Sequence, residues 1–400
     1  MLTSDMFNPS DEHLMVREMV RNFVEEYVEP QALEYDRLER FNLDLFKQLG
    51  ELGLLGLTAP EEFGGAGMDA TAAVIVHEEL SASDPGFSLA YLAHSMLFVN
   101  NLAVNGSDEQ KARFLPGVCS GQDIGCMAMS EPDVGTDVLG LSTTAVQNED
   151  GDWVLNGRKM WITNGCIDDE GTPADIVWIY AKTGVDDKGR NSISTFIVEK
   201  GATGYSVGQK IMDKTGMRAS NTAELVFDDC IIPAANMVGE EGSALMHMMR
   251  NLEIERLALA AMAVGISRRS LQAMNRYADE RQAFGKAIRD FGQIQRHIGE
   301  SWAEYRAMRA YIYDTARKMT LDSGGHRLDS DGIKLFATTA AKNIADRAMQ
   351  VMGGYGYVGE YVVERLWRDA KLLEIGGGTL ESHQKNITKD LARDPDAILR

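Results

Sequence analysis

The sequence predicts an α+β chain of several domains: a helical part over residues 1–125, a β-rich middle over 126–238, and a helical part over 239–400. Three observations lead there. Apolar residues recur at three- and four-residue spacing at both ends, as Val16, Met19, Val20, Phe23 and Tyr27 early on and as Ile294, Ile298, Trp302, Tyr305, Met308 and Ile312 later. Between them the pattern changes to short runs rich in β-branched and aromatic residues. Finally, 400 residues with 44% hydrophobic composition suffice for a sizeable core and two or three domains.

In chain order, Ser10 followed by Asp11 and Glu12 reads as a helix start, a capping hydroxyl with acids over the positive end of the dipole. Pro30 is expected to interrupt the first helix. Phe46, Leu49, Leu52 and Leu55 continue the helical spacing, Pro60 with Gly64 and Gly65 makes a loop, and 71–80 and 87–104 read as further helices. Strands are expected at 143–147, 153–155, 176–181, 192–198 and 223–227, with Asn156-Gly157 as a hairpin turn. From Glu241 the chain is helical again, punctuated at Gly324-Gly325, Gly353-Gly354 and Gly376-Gly377-Gly378. No internal repeat or low-complexity segment is present.

A formal charge of -20 argues against a nucleic-acid partner, since the phosphate backbone would be repelled and no basic patch stands out. Cys119, Cys126, Cys166 and Cys230 form no CxxC pair, and the seven histidines are scattered, so no metal site is expected and a reducing compartment fits. The N-terminus lacks a basic segment followed by an apolar one, and no apolar run is expected to reach membrane-spanning length; no signal or transit peptide, no membrane and a cytoplasmic (bacterial) location are expected.

Residues 127–137 have the wrong chemistry for a helix interior. Pro132 removes a donor, Gly135 supplies a turn position, and Ser130, Thr136 and nearby amides can face one concavity able to hold a phosphate-bearing ligand. Most such runs are ordinary turns. Trp161-Ile162-Thr163 follows, and an indole beside a hydroxyl suits the face and edge of a flat heteroaromatic ring. Gly354, Gly356 and Gly359 fit G-x-G-x-x-G, but the preceding 341–352 stretch is Ala-rich and helical, whereas a dinucleotide fingerprint needs a strand there.

The 127–137 and 161–163 segments resemble the flavin loop and Trp-Ile-Thr strand of the acyl-CoA dehydrogenase family. The resemblance continues at 216–222, at Arg281-Gln282-Ala283-Phe284-Gly285, at 350–357 and at Arg368-Asp369-Ala370-Lys371. It implies helical, β and four-helix-bundle domains, FAD as cofactor, an acyl-CoA substrate, electron-transfer flavoprotein as acceptor and a homotetramer. By that resemblance Met127, Met129, Ser130, Gly135 and Thr136 line the flavin, Thr136 also nears the acyl-CoA, and Trp161, Ile162 and Thr163 contact the isoalloxazine. Arg281, Gln350, Gly353 and Gly354 reach the FAD of a neighbouring subunit, and Thr379 and Glu381 lie beside the cofactor.

The family removes a proton from Cα and a hydride from Cβ of an acyl thioester. Most members carry the base as Glu in Glu-Gly-Thr near the C-terminus; this chain reads Gly377-Gly378-Thr379. A subset that includes isovaleryl-CoA dehydrogenases carries it in Leu-Glu-Arg on an earlier helix, which matches Glu255 within Leu252-Glu253-Ile254-Glu255-Arg256. Glu253 and Glu255 lie about 200° apart around a helix, so only one can face the pocket; the ordinary role of either is a solvated, paired or capping charge. Gly377 is the candidate oxyanion amide, and Gly378, Met246, Glu253 and Arg256 are expected near substrate. Gly377 frees volume for a branched or bulky acyl group. Met246 stands where isovaleryl enzymes tend to have Tyr, Gly292 replaces a flavin-contacting Gln, and Ser88 replaces the Arg that binds a distal carboxylate in glutaryl enzymes. Terpenoid, aromatic or medium-chain thioesters are the alternatives within the family. A flavin monooxygenase or oxidase on the same fold, or a non-catalytic acyl-CoA-binding protein, are the alternatives outside it.

Overall fold

In the computed structural model, which describes residues 5–322 and 324–399, helices enclose one central sheet. Ser10 caps α1 (Asp11–Phe23), accepting from the His13 amide. Pro30 does not interrupt this helix as expected. A π turn at Val24–Val28 carries the chain into α2 (Glu29–Leu38), and Pro30 sits in its first turn, where a missing N–H is tolerated. Asn42, Asp69 and Asp84 cap α3 (Leu43–Glu51), α4 (Ala70–Ser81) and α5 (Pro85–His94). A second π turn, Ser95–Val99, joins α5 to α6 (Asn100–Asn105), and Ser107 with Gln110 forms a capping box on α7 (Asp108–Ser120). The run Pro85–Asn105 corrects one expectation: it is long and apolar enough to cross a membrane, but 83% of its apolar 18-residue stretch is buried inside the fold, as in a core helix.

The sheet contains β1 (Gly125–Ala128), β2 (Thr144–Gln147), β3 (Trp153–Thr163), β4 (Ile176–Val185), β5 (Asn191–Glu199), β6 (Tyr205–Lys210), β7 (Thr222–Ile232) and β8 (Met237–Val238). Its order is β6-β7-β3-β2-β4-β5-β8, with β1 parallel to β4. Asn156-Gly157 is not a turn. It lies inside β3 at a bulge against β7, where a Cβ on Gly157 would come within 2.5 Å of the Thr143 hydroxyl, so close strand approach demands the glycine. The β2–β3 turn is instead built on Asn148, whose side chain accepts from the amides of Asp150 and Asp152.

The remainder is α8 (Ala244–Glu280), the short β9 (Gln282–Ala283) and β10 (Lys286–Ala287) pair, α9 (Gly292–Lys318), α10 (Arg327–Met352), α11 (Val362–Leu373) and α12 (Leu380–Arg393). The helix α8 is the axis of the molecule, packing on α4, α9, α10 and α11. Its crossing with α4 is close because Gly265 has no side chain: a Cβ there would lie 2.2 Å from Ser81 Oγ. Apolar residues of α1, α4, α8, α9 and α10 form one core, so both helical ends of the chain share it, while β-strand residues such as Leu155, Ile179 and Phe196 form a second. Within the helical core lie Glu78 and Glu79. Arg17 and Arg268 bind Glu79 at 2.5 and 2.6 Å, and Arg309 binds Glu78 at 3.0 Å. With Arg21, which also binds Glu79 at 3.1 Å, four cations compensate two buried anions and join α1, α4, α8 and α9.

Candidate active site

The site lies where the end of β1, the bulged end of β3, the middle of α8 and the glycine turn before α12 converge. The 127–136 segment leaves β1 and is tied to β3 by two contacts. The Met160 amide donates to the Ser130 carbonyl at 2.9 Å, and Lys159 Nζ donates to the Met129 carbonyl at 3.0 Å. Lys159 also pairs with Glu131 at 2.9 Å, and both are buried. Ser142 and Thr143 amides bind the same carboxylate, so Glu131 is held down to about 2 although burial opposes this. Burial brings Lys159 to about 8. This ion pair fixes the loop, and nothing in the motif announced it.

Gly135 and Thr136 are exposed; Gly135 lies in a bend, its φ is not positive and no atom crowds its Cβ position. Its openness leaves the loop surface accessible. Trp161 sits at a bulge with φ 67°, and its indole is 61% exposed. Ile162 alternates inward into the sheet core, which leaves only its backbone for a ligand. Among the described residues no side-chain hydrogen bond engages the hydroxyls of Ser130, Thr136 or Thr163. Buried Asn164 Oδ1 and both side-chain polar atoms of Asn221 also lack partners. Free donors and acceptors around an exposed indole fit the polar edge and flat face of a flavin.

Across from this loop, Asn251 on α8 approaches the Met127 sulfur at 4.0 Å, and one turn later comes Glu255. Glu255 is buried, its Oε2 has no hydrogen-bond partner, and burial raises its pKa against the pull of Arg256 and Lys334. Gly377 has φ 65°, and a Cβ built there would point at this carboxylate, 3.2 Å from Glu255 Oε1 and 2.3 Å from Leu259 Cδ1. A side chain at 377 and the Glu255 carboxylate therefore compete for one place. Gly378, with φ 100°, has its carbonyl bonded to Lys334 Nζ at 2.6 Å. Thr379 caps α12 by accepting from the Ser382 amide, and Glu381 is exposed in its first turn, its pKa lowered by its own backbone amide and then by Thr379.

Three residues expected near substrate are engaged or placed elsewhere. The Glu253 carboxylate accepts from the amides of Gly325 and His326 at 3.3 and 2.9 Å, serving the start of α10. Arg256 is buried against Asp331 at 3.2 Å. Met246, nine residues before Glu255, lies about 14 Å away along α8 on its opposite side and is half exposed beside Arg250. Sequence reasoning missed Lys334, Asp331 and His383, which underlie the glycine turn; only their burial reveals them.

Arg281, Gly353 and Gly354 come together elsewhere, lining a cavity of about 650 Å³ with Phe284, Tyr277 and Tyr355. Gln350 is exposed nearby at the end of α10. Arg281 ends α8, 26 residues beyond Glu255, or about 39 Å of helix. One dinucleotide cannot span both places.

Family models for the acyl-CoA dehydrogenase N-terminal, middle and C-terminal domains match residues 10–122, 126–230 and 245–392. The chain belongs to the acyl-CoA dehydrogenase family. Mitochondrial isovaleryl-CoA dehydrogenase of Oryza sativa subsp. japonica is 40% identical over 98% of this chain and 93% of its own length. The structure of butyryl-CoA dehydrogenase from Megasphaera elsdenii superposes with a TM-score of 0.90 at 33% identity, over 96% of this chain and 98% of the other. An acyl-CoA dehydrogenase from Bacillus anthracis, solved with FAD, gives 0.88 at 31% identity over 97% and 68%. This acyl-CoA dehydrogenase is accordingly an FAD-dependent oxidoreductase, and the donor set around Trp161 suits that cofactor.

Proposed function

We propose that this acyl-CoA dehydrogenase acts on a short branched or bulky acyl-CoA, of the isovaleryl type, with Glu255 as the base that removes the α-proton. The observation that carries the reading is the direction of the Gly377 Cβ position, which points at Glu255 Oε1 from 3.2 Å. The chain lacks a carboxylate at 377 and has one, from α8, in the same place. Its unpartnered Oε2 leaves lone pairs for the proton, and burial makes it a stronger base. Charge developing on the thioester oxygen would be met by the Gly377 amide, presented by a left-handed turn. Glu255 and Leu259 are buried, which keeps bulk water from the base. FAD, held by the 127–136 loop and residues 161–163, accepts the hydride from Cβ when bound. The rice relative named for isovaleryl-CoA supports the same substrate class. Arg281, Gln350, Gly353 and Gly354 would serve the FAD of a second copy in a tetramer, with electron-transfer flavoprotein as the acceptor.

The test is anaerobic titration of the purified flavoprotein with isovaleryl-CoA, following oxidised-flavin absorbance. Prompt bleaching with a long-wavelength charge-transfer band is expected. A yellow protein bleached only by larger branched, terpenoid, aromatic or medium-chain thioesters would overturn the substrate and leave the chemistry standing.

A further inference from the structure

The glycine turn rests on a lysine that the chemistry above does not use. Lys334 on α10 is fully buried, and its Nζ donates to the Gly378 carbonyl at 2.6 Å. A lysine in such a place needs a charge partner. Burial draws its pKa down to about 7, and the Glu255 carboxylate is the strongest influence drawing it back up. Reciprocally, Arg256 and Lys334 hold down the Glu255 pKa that burial raises. The groups facing this pair are Arg256 beside Glu255 on α8, Asp331 on α10, Glu374 after α11, His383 on α12 and Tyr180 on β4.

These neighbours sort themselves by their bonds. His383 Nδ1 lies 2.5 Å from Asp331 Oδ1 and its Nε2 lies 3.0 Å from the Gly378 carbonyl, and both partners are acceptors. Burial lowers the His383 pKa, so the neutral ring has one proton and the carboxylate takes it. The same Asp331 carboxylate compensates Arg256 at 3.2 Å. The Gly378 carbonyl is then served by Lys334, and Lys334 acts on Glu255 together with Arg256, whose own ion-pair partner is Asp331.

We propose that Lys334 is a positioning residue for the reaction: its ammonium group pins the Gly377-Gly378 turn through the Gly378 carbonyl and supplies the counter-charge of Glu255. This rests on Glu255 being the base. Two consecutive glycines at φ 65° and 100° have no side chains to hold them, so an external bond must fix the amide they present. Glu255 without a nearby cation would take up a proton in its apolar surroundings, and a protonated carboxyl cannot remove another. Because the two groups are coupled, their titrations belong to the pair.

The experiment is the pH profile of flavin reduction by isovaleryl-CoA for the wild type, Lys334→Gln and Lys334→Arg holoenzymes. Lys334→Gln keeps a donor and loses the charge; its acid limb should move up by about one pH unit, giving about tenfold slower reduction below the limb and recovery at alkaline pH. Lys334→Arg keeps the charge and should keep the wild-type acid limb. A Lys334→Gln profile lowered equally at every pH overturns the proposal, as does an acid limb that moves up as far in a folded Lys334→Arg variant if the first variant does not fold. A second readout needs no turnover: the pH dependence of thermal unfolding in the four-member cycle of Lys334→Gln and Glu255→Gln. The lysine's ionisation step should move to lower pH when Glu255 is replaced, and no movement overturns the coupling. Rapid flavin reduction retained by Glu255→Gln would instead remove the base assignment while leaving this cycle to speak for the pair.

Discussion

At the scale of single residues, the site turns on an exchange between two positions far apart in sequence. A carboxylate on α8 and a glycine after α11 meet because a side chain at 377 would enter the space that Glu255 fills. Glu255→Gln is expected to slow flavin reduction by about 10²–10⁴-fold, the usual contribution of a positioned base, with FAD content unchanged. Stopped-flow reduction under anaerobic conditions measures it, and rates within a few-fold of wild type would count against the base. Gly377→Ala tests the other partner. Its Cβ would press on Leu259 Cδ1 at 2.3 Å, and φ 65° disfavours any side chain. A displacement of that size at the base should cost on the order of 10²-fold in the same rate. Sequence made Glu255 legible only through the empty place at 377 combined with family resemblance. Lys334 was not legible at all, since a lysine in an amphipathic helix reads as a surface charge and nothing local marks it as buried.

At the scale of elements, two side chains hold helices to the site. Glu253 lies two residues from Glu255 and serves the start of α10, whose own first turn has no side-chain cap. Glu253→Ala should therefore lower stability by about 0.5–2 kcal/mol, the usual cost of losing a side-chain acceptor at a helix start, while KM for acyl-CoA stays the same. Denaturant melts with parallel kinetics separate this from the substrate contact expected from sequence. His94 joins α5 to α7 and β1: its Nδ1 accepts from the Gly125 amide at 3.0 Å, so its Nε2–H donates to the Val118 carbonyl at 2.9 Å. Burial holds this neutral ring at about 4 against an ordinary 6.5. The unfolded chain then binds a proton that the folded chain refuses, so this contribution is complete above pH 6.5 and is lost as pH falls to about 4. His94→Gln can keep both bonds without titrating. The variant should overtake wild type in relative stability as pH falls through that window, by on the order of 3 kcal/mol at its lower end; a difference independent of pH would refute the assignment. Periodicity announced α9, and β-branched and aromatic composition announced β2, β4, β5 and parts of β3 and β7, because those signals are local; β1, β6 and β8 were not expected. The π turn that carries α1 past Pro30, and the bulge that absorbs Gly157, depend on partners distant in sequence and had no local signature.

At the scale of the molecule, the helix α8 sets a distance that no single cofactor can bridge. Its middle faces the 127–136 loop through Asn251, and its end presents Arg281 about 39 Å beyond Glu255, over a cavity of about 650 Å³ lined with aromatic rings and Gly353 and Gly354. A guanidinium, backbone glycines and flat apolar walls suit a pyrophosphate and an adenine. If FAD lies against Trp161 in one chain, the Arg281 cavity of that chain is free to hold the cofactor of another. FAD retention should then depend on assembly. Arg281→Gln, a change at an exposed side chain, should weaken FAD binding about tenfold or more while the apoprotein melts at an unaltered temperature. Dilution that dissociates the assembly should release flavin in step with subunits, as followed by flavin fluorescence alongside size-exclusion chromatography. Flavin held equally well by Arg281→Gln, or by isolated single chains, would show that each chain completes its own cofactor site and that this cavity serves another purpose.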